Sequence, residues 1–236
     1  MISEVKRNLS PEWRYRVNLE VFQRELLSHF YENCIYPVVN GLLNGKMIYG
    51  VRDFNEFKSI RFKVSSLSIQ YLLCKSLYRF NYIKNSLLMK NIKDVLRHVL
   101  YSIKYSLAAI ILWEEGIVVN CFRDILNLLS KADEDLSQRV LRWIHNMNKS
   151  FKSKYHRKNG TKISIPALFQ DFLDLPYYIL SYSWKKLNKK ELMSYRELLE
   201  LLKRKKPIDI DFLCLDSEPT MVMYINNHEH RVCLVK

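Results

Sequence analysis

Residues 91–116 read NIKDVLRHVLYSIKYSLAAIILWEEG, and this stretch decides the fold. Taken as a helix from Ile92 to Glu115, it sets Ile92, Val95, Leu96, Val99, Leu100, Ile103, Leu107, Ile110 and Ile111 on one stripe. That is the i, i+3, i+4, i+7 spacing of a 3.6-residue turn. Asn91 is placed to cap the first turn, with Asp94 as the acidic partner of a capping box, and Gly116 stands where a left-handed C-cap residue belongs. At 1.5 Å per residue the rod is roughly 36 Å long, enough for the central column of a bundle.

The totals agree with a helical protein. The chain has 236 residues, 48% of them apolar, with only 5 glycines and 6 prolines, too few for an all-β protein of many tight turns. Its 38 Lys and Arg against 24 Asp and Glu give a net charge of +14, a field that attracts polyanions. A solvated lysine surface would give the same total. The five cysteines, Cys34, Cys74, Cys121, Cys214 and Cys233, are scattered without a CxxC pair. This spacing predicts small buried thiols in a reducing, cytoplasmic setting, with no disulfide framework and no zinc site. No leader with an apolar core is visible, and Tyr105 to Trp113, the most apolar segment, is too short for a membrane span.

Outward from the central rod, alternation over Tyr15, Val17, Leu19 and Val21 predicts a strand, followed by short helices over Leu26–Ile35 and Val38–Leu43 and a glycine-marked turn before Gly50. Helices are expected over Asp53–Phe62 and Ser66–Ser86, the second with Leu67, Tyr71, Cys74 and Tyr78 on one line, Leu73, Leu77 and Phe80 beside it, and Lys75 and Arg79 outside. Further helices are expected over Phe122–Leu129, Leu136–Met147, from Ile165 or Pro166 to Ser183, and over Lys189–Lys205. Lys149 to Lys162 reads as a basic surface arm around Gly160. Ile208–Leu215, Met221–Ile225 and Val232–Val235 read as an antiparallel meander with Asn226-Asn227 as one link.

The stretch Tyr15-Arg16-Val17-Asn18-Leu19-Glu20-Val21-Phe22, followed by Pro37 to Gly50, resembles the end of a minimal, DNA-polymerase-beta-like nucleotidyltransferase domain. Leu96 to Tyr105 and Gly116 to Leu129 resemble the HEPN-type helical domain that accompanies it. The resemblance covers about residues 13 to 148. It implies binding of nucleotide or RNA and a partner that supplies catalysis. The chain departs from that family in having no Gly-Ser turn, and Asn18 stands where a third carboxylate is expected, with Glu20 two positions on.

Three sets of candidate residues follow. Asp209 and Asp211, alternate residues of Ile208-Asp209-Ile210-Asp211, share a strand face and form either a magnesium-binding pair or the charged side of an edge strand. Arg139 and His145 have the spacing of the HEPN ribonuclease pair, in which His is a general base and Arg steadies a phosphate, yet six residues put them about 120° apart on a helix. The outward Arg and a His near a helix end are the plainer account. Lys149, Lys152, Lys154, Arg157, Lys158 and Lys162 with Phe151 and Tyr155, joined by Lys185 and Lys186 beside Trp184, combine cations with aromatic faces suited to phosphates and unpaired bases.

The sequence therefore predicts a mainly α protein. It comprises a short N-terminal α/β element over 1–62, a helical bundle over 63–206 and a small β appendage over 207–236. The expected function is a nucleotidyltransferase-related, HEPN-like protein that binds nucleotide or RNA without a standard catalytic site. The alternatives are a basic nucleic-acid-binding module and a HEPN-type ribonuclease. Expected partners are nucleic acid, RNA ahead of DNA, or nucleotide, together with a catalytic protein or a second copy of the chain.

Overall fold

The computed structural model describes residues 36, 38–40, 63–89, 91–119, 121–154 and 172–236, with backbone alone at 92, 132 and 147–154. The chain divides into two compact units, Met1–Lys63 and Val64–Lys236. In the first, Tyr36 and residues 38–40 are helical, and Tyr36, Val38 and Val39 are buried. The strand expected from Tyr15 to Val21, with Asn18 and Glu20, and the helix expected over Asp53–Phe62 lie outside the described residues.

The second unit is mainly helical and ends in a three-stranded antiparallel meander. Its helices are α1 (Ser66–Leu88), α2 (Ile92–Glu115), α3 (Phe122–Ala132), α4 (Glu134–Lys154), α5 (Asp174–Asn188) and α6 (Tyr195–Lys205). The meander comprises β1 (Asp209–Leu215), β2 (Glu218–Ile225) and β3 (His228–Cys233), in the order β1-β2-β3.

Helix α2 has the bounds its sequence predicts. The Asn91 side chain accepts from the Asp94 N–H at 3.3 Å, and Gly116 closes the other end at φ 64°. The reciprocal half of the box differs: the Asp94 carboxylate takes the Asn91 side-chain amide at 2.6 Å, while the Asn91 backbone N–H donates to the Ser86 carbonyl. Val95, Val99, Ile103, Leu107, Ile110 and Ile111 are buried, whereas Leu96 and Leu100 are only half-buried. By length and composition Lys93–Glu115 is apolar enough to cross a membrane, yet 67% of its apolar window is buried inside the fold.

The short link between α1 and α2 makes them an antiparallel hairpin. Small side chains let the two backbones approach at Ser76, Ser102 and Ser106, all fully buried. Their hydroxyls satisfy one another: Ser76 Oγ donates to the Ser102 carbonyl at 2.8 Å, Ser102 Oγ to the Ser76 carbonyl at 3.0 Å, and Ser106 Oγ to Ser76 Oγ at 2.7 Å. No apolar replacement of that size could leave these backbone groups as well satisfied.

The face of α1 departs in part from expectation: Leu73, Leu77 and Phe80 are buried as expected, but the line of Leu67, Tyr71 and Tyr78 is not. Ile69, Leu72, Leu73, Leu77, Phe80 and Ile83 form its core, while Leu67, Tyr71 and Tyr78 reach the surface. Helix α1 packs on α2 and also on β1, where Phe80 meets Phe212 edge-on at 5.2 Å, and this second neighbour turns the tyrosine line outward. Helix α4 likewise runs to Lys154, so Lys149, Lys152 and Lys154 belong to a helix and not to a loop. Nothing before Gly160 is a helix breaker, which is why the helix continues. In α4, Leu136 and Val140 are buried and Trp143 and Ile144 half-buried.

Pro176 falls in the first turn of α5, where its missing N–H costs nothing. Helix α6 starts at Tyr195 and not at Lys189: Lys189 ends α5 in the left-handed region, and Ser194 with Glu197 forms a complete capping box. The Glu197 carboxyl is pulled down to about 2, by the Lys236 ammonium first and by Ser194 next. Both hairpin turns of the meander, Asp216-Ser217 and Asn226-Asn227, have positive φ at both residues, between 48° and 66°. This is the type I′ geometry that matches strand twist.

Candidate nucleic-acid interface

Asp209 and Asp211 do share a face of β1, and a cation lies between them. It is the ammonium of Lys84 on α1. Lys84 Nζ donates to Asp209 Oδ1 at 2.8 Å, to Asp211 Oδ1 at 3.0 Å and to the Ile210 carbonyl at 2.6 Å, which uses all three of its protons. Its side chain is 8% exposed, against 48% and 35% for the two aspartates. A magnesium ion at this pair would first have to displace the ammonium. Among the described residues no group of three or more His, Cys, Asp or Glu is arranged to hold a metal.

Lys84 is the end of a polar seam. Asn81 exchanges two hydrogen bonds with the backbone of Phe212, donating to its carbonyl at 2.8 Å and accepting from its N–H at 2.7 Å. Gln70 donates to the Ser217 carbonyl, and Cys74 is joined to Cys214 by a disulfide. Positions 70, 74, 81 and 84 lie on one face of α1. The cysteine expectation is thus corrected: Cys74 and Cys214 are paired, and Cys121 and Cys233 are exposed thiols. A separation of 140 residues hides such a pair from any reading of spacing.

The opposite side of the α1–α2 hairpin carries different chemistry. Arg79 from α1 is surrounded by aromatic rings: its guanidinium carbon lies 5.0 Å from the centre of Tyr101, 5.3 Å from Tyr82 and 5.5 Å from Tyr105. One of its terminal nitrogens is 3.3 Å from His98 Nδ1 and the other 3.5 Å from the Tyr105 hydroxyl. Tyr82 stacks on His98 at 5.1 Å, and Tyr101 lies near-parallel to Tyr105 at 6.3 Å. Arg79 is half-buried and oriented by these rings, and among the described residues no carboxylate pairs with it. Around it Tyr78 and Tyr82 are 45% exposed and Tyr101 37%, with Lys75 and Arg97 exposed at the margins.

His98 reports on this charge. Burial first, then the neighbouring Arg79 and Arg97 charges, hold it below its ordinary value, with Asp94 opposing them. The folded state therefore keeps His98 neutral, with Nδ1 accepting from Arg79 and Nε2 carrying the proton. As pH falls through about 6.5 the unfolded chain takes up this proton before the folded one, so stability drops with acidity. The expected result is that a His98→Asn variant, whose amide oxygen replaces Nδ1, loses less stability between about pH 7 and pH 5 than the parent protein. Urea midpoints measured across that range check it, and an equal loss in both proteins contradicts it.

Lys185 pairs with Glu191 at 2.5 Å and Lys186 with Glu114 at 2.6 Å, so both charges are locally compensated. Lys186 lines a cleft of about 320 Å³ with Tyr182, Asp133 and Leu129. Arg139 and His145 are exposed on α4. Of the basic arm, Lys149, Lys152 and Lys154 have described backbone only, and Arg157, Lys158 and Lys162 lie outside the described residues.

No family model, no curated protein and no solved structure matches this chain.

Proposed function

We propose that this protein binds single-stranded nucleic acid, RNA in the first instance, on the exposed side of the α1–α2 hairpin. The observation that carries the reading is Arg79: a guanidinium fixed by three tyrosines and a histidine, with no carboxylate paired to it among the described residues. A phosphate supplies the opposite charge, and planar guanidinium geometry suits it. The exposed faces of Tyr78, Tyr82 and Tyr101 offer stacking surfaces for unpaired bases, each worth about 1–3 kcal/mol. A net charge of +14 draws the polyanion in.

A free nucleotide presents the same phosphate and base, and kinship with the HEPN-like partners of nucleotidyltransferases would make it a second ligand of this face. The cytoplasm is the setting this reading assigns to the protein; its glutathione makes the Cys74–Cys214 bond conditional.

The test is fluorescence anisotropy with a labelled single-stranded RNA of about 20 nucleotides, a range of salt concentrations and a duplex of the same sequence. Arg79→Ala is expected to weaken binding about 10-fold or more, and Tyr82→Ala with Tyr101→Ala by a similar factor. Lys185→Ala, whose charge is already paired, is expected to change little. Equal affinity for duplex and single strand, or binding indifferent to Arg79, would sink the proposal. RNA shortened by the parent protein but left intact by His145→Ala would move the reading to a ribonuclease.

A further inference from the structure

The two edges of the meander are treated differently. Along β1, the Asp216-Ser217 turn sets Ile210 and Phe212 with their N–H and C=O groups pointing away from β2. Each of these groups is satisfied by a side chain. Asn81 takes both from Phe212, Lys84 takes the Ile210 carbonyl, and Asp209 Oδ1 accepts from the Ile210 N–H at 2.8 Å. That edge is closed at Ile210 and Phe212.

Along β3 the Asn226-Asn227 turn makes Ile225 and His228 the first hydrogen-bonded pair. His228, His230 and Val232 then spend their backbone groups on β2, while Glu229 and Arg231 turn theirs outward. Among the described residues nothing bonds to the outward groups of Glu229 and Arg231, and residues 228–231 are exposed. Cover begins only beyond β3, where Leu192 pairs with Val235 and the Met193 N–H donates to the Leu234 carbonyl.

Exposed edge strands are commonly protected by charges, above all lysines, or by prolines and bulges. This one carries opposite charges two residues apart, held on one face by a 2.6 Å Glu229–Arg231 ion pair. We propose that β3 is a homodimer interface, two copies pairing antiparallel about His230 into one continuous sheet with three strands from each.

Symmetry and chemistry select that register together. Centred on His230, Glu229 of one copy faces Arg231 of the other and the reverse, so both outward backbone pairs exchange hydrogen bonds and both charge pairs are attractive. Centring on Glu229 or on Arg231 would set like charges opposite each other. The clear stretch, residues 228–232, is also just what the His230-centred register uses. An interface of this length is small, so the dimer belongs to the weak, concentration-dependent class.

Sedimentation velocity on the full chain, run up to about 100 μM, tests it. The parent protein is expected to dimerise with rising concentration, and Glu229→Arg and Arg231→Glu each to stay monomeric. Mixing the two single variants is expected to restore dimers, because the first supplies two arginines and the second two glutamates. The double variant Glu229→Arg/Arg231→Glu, which exchanges the charges, is expected to dimerise as the parent does. Both substituted positions are solvent-exposed, so circular dichroism is expected to be the same throughout. A parent protein that is monomeric at the highest concentration, or dimers indifferent to the single reversals, would overturn the proposal.

Discussion

Removing the Cys74–Cys214 bond is expected to lower the stability of the second unit by about 3 to 5 kcal/mol. The bond joins positions 140 apart, and closing a loop of that length removes a large share of the unfolded chain's freedom. The chain-entropy model puts this at roughly 5 kcal/mol, with residual structure in the unfolded chain reducing it. The folded geometry needs the bond least, because Gln70, Asn81 and Lys84 already hold β1 to α1 on either side. A Cys74→Ser/Cys214→Ser double variant is therefore expected to fold to the same structure and to unfold at a lower urea concentration. Adding a thiol reductant to the parent protein is expected to bring its midpoint to that of the variant. Midpoints that coincide before any reductant is added would mean the bond contributes nothing.

This bond also marks where sequence reading stops. Helix α2 was legible from its own residues, since a nine-member apolar stripe, an Asn cap and a terminal Gly all speak of the same 24 residues. The meander was legible in outline for a similar local reason, since alternation and the Asn226-Asn227 pair predict a hairpin without reference to the rest of the chain, although its third strand is His228–Cys233 and not Val232–Val235. What lay hidden were contacts between distant segments. The seam of Gln70, Cys74, Asn81 and Lys84 has the 4-7-3 spacing of one helix face, yet polar residues at that spacing carry no sign of burial when the strand that covers them is more than 120 residues away. The Arg79 cluster divides in the same way. The spacing of α1 puts Arg79 on its outer side, where it is half-buried. Only the antiparallel hairpin sets His98, Tyr101 and Tyr105 against Arg79.

Lys84→Met is the substitution from which the second large loss is expected, about 2 to 3 kcal/mol. Methionine fills much of the same volume, so the effect isolates the ammonium. Its removal leaves the Ile210 carbonyl without a donor and sets two carboxylates side by side with nothing between them. Both aspartates are substantially exposed, and water screens that repulsion, which keeps the loss below that of a fully buried pair. Converting Asp209 and Asp211 to Asn in the Lys84→Met background is expected to recover part of the loss, because the repulsion goes while the Ile210 N–H keeps its acceptor. The same substitution in an otherwise unchanged Lys84 protein is expected to destabilise, since the ammonium then loses both anions. Opposite signs in the two backgrounds are the signature of a charge cluster and are read from a urea double-mutant cycle. Magnesium chloride provides the decisive comparison with a metal pair. If the ammonium and a divalent ion compete for one position, magnesium raises the midpoint of Lys84→Met and leaves the parent unchanged. An equal response in both proteins would show that these carboxylates were set for Lys84 alone.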